Sequence, residues 1–280
     1  MMKNSVLDKK SQFEKFKEMA KEGKIDEVKK LIEDKVSYLE ENSDQHKELN
    51  ILTGKVSEFI SSKTNLVPNL LFGGAFRIND KNIYSALGEA LKISVNMKSN
   101  IGAEDGVIAA TAVFITVFNY FGMNVDGKKT MKRDALYTGH SLNDNITPVS
   151  MEEFKGKAIA ECLELSTVAQ DLFTAIGIDS TTIFSGNCRI EGSDDKFNHV
   201  FNMIESKGKH YLFDPSNPSI MAKTDLDGKV TNFTPKGIPV YLISEEEYES
   251  IMNGGSIKRS HYEYSPNNEV LKEYTMVYSL

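Results

Sequence analysis

Residues 197–218 read FNHVFNMIESKGKHYLFDPSNP, and this stretch decides the fold prediction. Two runs rich in β-branched and aromatic residues flank a turn that contains Gly208, a pattern typical of a β-hairpin. His199 lies on the first run and Asp214 ends the second. The midpoint of the two residues falls inside the turn, so a hairpin that closes there places them nearly opposite each other. Directly opposed Cβ atoms are about 4.5–5.5 Å apart, which allows an imidazole–carboxylate hydrogen bond.

Such a pair has a known chemical use. The carboxylate holds the ring in one tautomer and stabilises the imidazolium, and the other ring nitrogen faces a nucleophile. The alternatives for each residue are ordinary ones, because a histidine on a strand is usually a surface or satisfied core residue and Asp-Pro is common at a strand exit. Asn198 and Asn202 are alternative partners for the ring of His199.

The candidate nucleophile lies upstream, in residues 158–177, AIAECLELSTVAQDLFTAIG. Apolar residues recur here at helical spacing and form one stripe, and Gly177 follows as a helix C′ residue would. The stripe consists of Leu165, Val168, Ala169, Leu172, Phe173 and Ile176. Cys162 is therefore predicted in the first helical turn, where unpaired N–H groups and the helix dipole favour a thiolate.

Two observations favour a packing role for Cys162 instead. Glu161 and Glu164 flank the cysteine, and carboxylates that point toward it disfavour the thiolate. Cys162 also precedes Leu165 by three residues, so it can extend the buried stripe. The helix taken alone leaves both interpretations open.

A cysteine that opens a helix, a histidine on a strand and an aspartate at the end of the next strand form an ordered set. His199 follows Cys162 by 37 residues, and Asp214 follows His199 by 15. The set resembles the transglutaminase-like branch of the papain-like cysteine enzymes, in which a Cys helix ending in an Ile-flanked Gly precedes a His-Ala-Trp-Asn-x-Val strand and a strand ending in Asp-Pro-Thr. This chain has CLELSTVAQDLFTAIGID, HVFNMI and YLFDPSN in that order. The resemblance covers residues 150–218 well and residues 100–280 loosely.

The resemblance implies a transglutaminase-like or papain-like core, with the cysteine helix packed on a mainly antiparallel sheet. It implies Cys162 as the nucleophile, His199 as the general base and acid, and Asp214 as the residue that orients the ring. The implied activity is acyl transfer or amide hydrolysis through a cysteine thioester on a protein or peptide substrate, as in a protease, a deamidase or a cross-linking enzyme. It implies no metal and no organic cofactor.

The chain also departs from the family pattern. Glu161 and Leu163 flank the cysteine where the family often has Gly or Trp, and Phe201 stands where the family has Trp. No side chain is identified as an oxyanion donor, although the backbone N–H of Cys162 can supply one hydrogen bond. Side-chain candidates are Tyr137, Asn143 and Asn145. These departures favour the alternative function, a non-catalytic protein-binding module that retains the fold.

Composition limits the other function classes. The net charge of −7, from 33 basic and 40 acidic residues, disfavours nucleic-acid binding, which needs clustered Lys and Arg. The longest apolar run, near Val107–Phe118, is shorter than the roughly 18–20 residues of a membrane span. The first 15 residues lack the apolar core of a signal peptide. We expect a cytoplasmic protein, or one exported without a recognisable signal peptide.

The pattern along the chain predicts an α+β fold, because helical periodicity dominates the first part and strand-like runs the second. We expect a helical region over residues 1–98, an enzyme domain over 99–280, a buried helix over 104–122 and a surface loop over 124–150. Cys188 has no His or Cys at metal-ligand spacing, and CxxC, HExxH and GxxxxGK[ST] are absent. His140 is a candidate ligand or substrate contact, although its loop favours an exposed side chain. The sequence therefore predicts no metal or nucleotide site.

Overall fold

The computed structural model describes residues 66–69, 74–80, 82–101, 104–123, 131–137 and 149–280. Within these ranges, five α-helices accompany one small sheet and one large mixed sheet. The predicted α+β class is confirmed. Residues 1–65, for which helices were predicted, lie outside the described residues.

The first described part of the chain combines a small sheet with three helices. The small sheet has the order β1–β2–β3, with an antiparallel β1–β2 pair and a parallel β2–β3 pair. Its strands are β1 (Leu66–Asn69), β2 (Gly74–Arg77) and β3 (Val149–Ser150), and the helices are α1 (Asn82–Ile101), α2 (Asp105–Phe121) and α3 (131–137). A short 3-10 helix, Met151–Phe154, follows β3.

The second part carries α4, the helix of the candidate nucleophile, and the large sheet. The remaining elements are α4 (Cys162–Ala175), β4 (Asp179–Ile190), β5 (Lys196–Ser206), β6 (Lys209–Phe213), β7 (Ile220–Thr224), β8 (Val230–Pro235), β9 (Val240–Ile243), α5 (Glu245–Met252), β10 (Ser256–Tyr264) and β11 (Val270–Ser279). The sheet order is β8–β7–β10–β11–β4–β5–β6–β9. Every pair is antiparallel except β7–β10.

Alternating side chains of β5 supply two cores on opposite faces of the sheet, as the two-residue period of a strand requires. Val200 and Ile204 pack with the apolar stripe of α4 and with buried residues of α1 and α2. Phe201 and Met203 join a second cluster that contains Tyr278 of β11. The helix that begins at Cys162 is thus fixed against the strand that carries His199.

The predicted elements of the middle of the chain need two refinements. The buried helix predicted over 104–122 is α2, and Gly122 ends it with a positive φ of 75°. The stretch predicted as a surface loop over 124–150 contains α3, in which Arg133 and Tyr137 are buried. Hydrophobic periodicity could not reveal α3, because its buried positions include a charged residue.

The division between residues 1–98 and 99–280 stays a prediction. The described chain passes residue 98 inside helix α1. Ile83 and Leu87 of that helix belong to the same core as α2 and α4. Helix α1 therefore shares its packing with the predicted enzyme domain. No helix among the described residues has the length and apolarity that crossing a membrane requires.

Candidate active site

The β5–β6 hairpin turns at Lys207 and Gly208, which both have positive φ, 52° and 69°. Two consecutive residues with positive φ are typical of a type I′ turn, whose twist suits a two-residue hairpin. Asn202 pairs with Phe213 in this register. Asp214 follows the end of β6 and lies diagonal to His199, two positions away from the nearly direct opposition that the sequence predicted.

The diagonal placement still brings the two side chains together. His199 Nε2 lies 2.7 Å from Asp214 Oδ2, and both residues are buried. The imidazole lies among aromatic rings, with its centroid 6.0 Å from that of Phe201 and 6.0 Å from that of Tyr278. Phe201 thus packs on the histidine in the position where the resembling family has Trp.

Cys162 is the first residue of α4, as predicted, and Glu161 is the N-cap. Its side chain is half-buried and forms no disulfide. The Cys162 side chain lies close enough to the His199 ring to raise the pKa of the imidazole. Because Nε2 is engaged by Asp214, Nδ1 is the ring nitrogen that remains for the sulfur. The structure therefore brings together all three residues that the sequence singled out.

The charges of the pair shift both titrations. Burial by itself lowers the pKa of His199, but the charge of Asp214 and the hydrogen bonds with Asp214 and Cys162 outweigh it and hold that pKa well above 6.5. Burial by itself raises the pKa of Asp214, but the charge of His199 and hydrogen bonds from His199, Ser216 and Tyr278 lower it overall. The favoured state is an imidazolium paired with a carboxylate.

Arg133 of α3 binds the two glutamates that flank the cysteine. Its guanidinium Nη2 lies 2.9 Å from Glu164 Oε1, and its Nη1 lies 3.4 Å from Glu161 Oε2. Tyr137 donates a further hydrogen bond of 2.6 Å to Glu164 Oε1. The carboxylates that argued against a reactive Cys162 are therefore compensated by a cation. Sequence analysis missed Arg133 because 31 residues separate it from Glu164.

Further hydrogen bonds hold both oxygens of the aspartate. Ser216 donates to Asp214 Oδ1 through its backbone N–H and its hydroxyl, at 3.2 and 2.7 Å. Tyr278 donates to Oδ2 at 2.8 Å, and its hydroxyl also lies 3.1 Å from His261 Nε2. Only the serine had a sequence signal, since it follows Asp-Pro in a strand-exit turn. Tyr278 and His261 reach the site through the strand order.

The other candidate residues have different places. The side-chain amide of Asn202 donates to Ser166 O and Thr182 Oγ1, and Asn198 is exposed. The Tyr137 hydroxyl is taken up by Glu164. Cys188 is fully buried in the second core, and burial raises the pKa of its thiol. His140, Asn143 and Asn145 lie outside the described residues.

A groove of about 540 Å³ borders His199 and is lined by residues of β4, β5, β7, β10 and β11 and of the turn at 216–218. Its size lies in the range of ligand pockets. Residues that line it include Phe197, His199, Tyr262, Glu263, Lys272 and Tyr274. In the part of the chain that the structure describes, no group of three or more His, Cys, Asp or Glu side chains is arranged to hold a metal ion.

Comparisons with known proteins identify no family for the chain. No protein-family model matches the chain, and no curated protein matches it. A solved structure described as a crystal structure of a TGase matches with a TM-score of 0.30 and 16% identity, over 60% of this chain and 45% of that chain. The chain thus spans less than half of that protein. A TM-score this low carries no argument about the fold or the activity.

Proposed function

We propose that the chain is a transglutaminase-like cysteine enzyme, in which Cys162 forms a thioester with an amide-bearing substrate. One observation supports this most directly. A buried carboxylate, Asp214, holds the His199 imidazole at 2.7 Å, and the Cys162 side chain lies close enough to the same imidazole to raise its pKa. Nucleophilic acyl transfer needs this series: a nucleophile, a base that contacts it and a carboxylate that orients the base.

In the first half-reaction, His199 holds the proton of Cys162 as imidazolium, and the thiolate attacks the carbonyl carbon of the amide. A sulfur–carbon bond forms, and the carbonyl oxygen takes the electron pair. The backbone N–H of Cys162 at the start of α4 is one donor to that oxyanion, since the first amides of a helix have no intrahelical acceptor. The C–N bond then breaks as His199 Nδ1 protonates the leaving amine.

In the second half-reaction, water or an amine attacks the thioester carbon and His199 accepts its proton. The sulfur–carbon bond breaks, and the thiolate returns. Water yields a carboxylic acid, which corresponds to proteolysis or deamidation, and an amine yields a new amide, which corresponds to cross-linking. We favour hydrolysis slightly. Asp214 stabilises the imidazolium in both halves, so the cycle needs no metal and no organic cofactor.

We infer a protein or peptide as the substrate. The groove beside His199 offers room for the amine portion, because His199 exchanges its proton with that portion. Tyr262, Glu263 and Tyr274 on its wall suit an amine or amide, through a carboxylate charge and aromatic faces. The acidic net charge of −7 fits this better than a nucleic acid.

The second candidate function is a non-catalytic protein-binding module. Its main support was the acidic surroundings of Cys162, and the ion pairs of Arg133 with Glu161 and Glu164 weaken that support. Iodoacetamide discriminates the two candidates. An enzyme should be alkylated at Cys162 well below pH 8 and much faster than at buried Cys188, and His199→Ala should slow the reaction. Slow labelling of both cysteines that His199→Ala leaves unchanged supports the binding module.

Incubation with a mixed peptide library tests the reaction itself. Masses are compared between the native chain, Cys162→Ala and the control Cys188→Ala. Cleavage gives fragments whose masses sum to about 18 Da above the parent, deamidation adds about 1 Da, and cross-linking joins two peptides with loss of about 17 Da. We expect one of these products from the native chain and the control and none from Cys162→Ala. A library unchanged by the native chain contradicts the proposal.

A further inference from the structure

A chain of buried side chains extends from Asp214 away from the proposed reaction centre. The Tyr278 hydroxyl lies 2.8 Å from Asp214 Oδ2 and 3.1 Å from His261 Nε2. The other ring nitrogen of His261, Nδ1, lies 3.2 Å from the Tyr241 hydroxyl. Asp214, His261 and Tyr278 are fully buried. Three strands, β9, β10 and β11, thus contribute one polar series to the second core.

One arrangement of the protons satisfies all three side-chain contacts of this series. Ionised Asp214 is an acceptor, so the single proton of the Tyr278 hydroxyl points to it. His261 Nε2 must then donate to the Tyr278 oxygen, which leaves Nδ1 of the neutral ring to accept from Tyr241. Burial and the charge of His199 lower the pKa of His261, which favours the neutral ring, although the charge of Asp214 and a hydrogen bond with the Asn217 backbone act in the opposite direction. Every donor in the series therefore points toward the aspartate.

We propose that Tyr278, held by His261, is a positioning residue for acyl transfer, and this inference rests on the function proposed above. Tyr278 fixes Asp214 as an ionised acceptor whose Oδ2 binds His199. The donor to Oδ2 matters because that oxygen also takes the imidazole. A carboxylate oxygen that accepts a second hydrogen bond is a weaker base toward the ring. Tyr278 therefore sets how tightly His199 holds its proton and keeps the carboxylate from turning away.

Asp214 and His199 lie among several titratable groups, so a change at Asp214 affects its neighbours. Several titratable groups from the packed strands sense its charge or that of His199, and Cys162 approaches from α4. They are Cys188 on β4, His199 on β5, Tyr241 on β9, His261 on β10, and Tyr274 and Tyr278 on β11. Of these groups, His199 and Tyr278 are the two that form hydrogen bonds with the carboxylate. Removing the Tyr278 hydroxyl therefore deletes one of the hydrogen bonds that stabilise the carboxylate, beside those of His199 and Ser216.

The test is a titration of the full-length chain by NMR of the ¹⁵N-labelled histidine rings. The Cys162→Ala background removes the titrating thiol from the site. Tyr278→Phe should raise the titration midpoint of His199 by up to about one pH unit, because the deleted hydrogen bond to the Asp214 carboxylate is worth about that much and acts on His199 through Asp214. Tyr211→Phe, which deletes another buried tyrosine hydroxyl that bonds Glu104 instead, should leave the midpoint in place.

Substitutions of His261 should have smaller, graded effects. His261→Leu should shift the His199 midpoint upward by less than Tyr278→Phe, and His261→Gln should restore it because the amide N–H replaces the Nε2 donor. A His199 midpoint in Tyr278→Phe that is unchanged or lower than in Tyr211→Phe overturns the proposal. The tautomer of the His261 ring is a further measurement, and it needs no substitution at His261 or Tyr278. A neutral ring protonated on Nε2 supports the series, and a ring protonated on Nδ1 overturns it.

Failure of this inference and failure of the proposed function give different results. Alkylation of Cys162 by iodoacetamide, in chains with the cysteine intact, reports activation of the thiol. A shifted His199 midpoint without selective labelling of Cys162 keeps the positioning role of Tyr278 toward Asp214 and removes the enzyme. Selective labelling with an unmoved midpoint keeps the enzyme and removes the role of Tyr278.

Discussion

The guanidinium of Arg133 holds the Glu164 carboxylate through two nitrogens, with Nε 3.0 Å from Oε2 and Nη2 2.9 Å from Oε1. Oε2 also accepts the backbone N–H of Glu161 at 2.9 Å, which closes a capping box at the start of α4. The pair is buried, with side-chain exposures of 4% and 0%. One ion pair thus fixes the first helical turn, where Cys162 lies, and compensates the nearest buried acid.

Arg133→Met should destabilise the protein by about 3–5 kcal/mol, because it leaves the Glu164 carboxylate buried without its cation. The double variant Arg133→Met with Glu164→Leu should recover most of this loss, since replacement of a whole buried pair by apolar residues is close to neutral. Urea unfolding followed by circular dichroism measures both free energies. A single variant that loses less than about 1 kcal/mol would show that the pair contributes little.

Asp214→Asn should keep the fold and remove most of the activity. An amide does not stabilise the imidazolium of His199 as a carboxylate does, and it can hold the ring in the wrong tautomer. The rate of amide turnover should fall on the order of 10²–10⁴-fold, and Cys162 should become less reactive toward iodoacetamide near neutral pH. Ser216→Ala, which removes one donor to Asp214 Oδ1, is the milder comparison. Equal losses in both variants would contradict the assigned role.

The free energy of unfolding should decrease at both high and low pH. The pKa of His199 is raised above its usual 6.5, so its contribution is complete below pH 6.5 and is lost as pH rises through the folded-state pKa. The pKa of Asp214 is lowered from 3.8, so its contribution is present above pH 3.8 and is lost as pH falls through the folded-state pKa. Thermal unfolding measured across the pH range reports the loss of stability at high pH and at low pH. His199→Gln should reduce the loss at high pH, and an unchanged loss would show that other groups cause it.

Two glycines should respond to alanine in opposite directions. A Cβ on Gly106 of α2 would lie 2.4 Å from the ring of Tyr211, whereas a Cβ on Gly88 of α1 would meet nothing within 4 Å. Gly106→Ala should destabilise by about 1–3 kcal/mol through overpacking. Gly88→Ala should stabilise by roughly 0.5–1 kcal/mol, because alanine loses less entropy in a helix. Chemical denaturation of both variants tests the packing of α2 against the β5–β6 hairpin.

Local rules predicted the elements of the site well. Helix α4 begins at Cys162 and is followed by Gly177, and β6 spans Lys209–Phe213 as its composition indicates. The hairpin was predicted because a positive-φ turn leaves a glycine signal, although the register was misjudged. A shift of two residues moves a partner along the same face of the strand, so the predicted His199–Asp214 contact survived the error.

The sequence by itself determined which residue types were available, the helix start at the cysteine and the hairpin that joins histidine to aspartate, because these depend on short-range periodicity and turn chemistry. Only the tertiary structure decided which groups support them. Arg133 reaches Glu164 from a separate helix. Tyr278 reaches Asp214 because β11 lies beside β4, and His261 reaches Tyr278 because β10 lies beside β11. Strand order and helix docking are set by burial of the whole core, and no local pattern in the chain encodes such distant contacts.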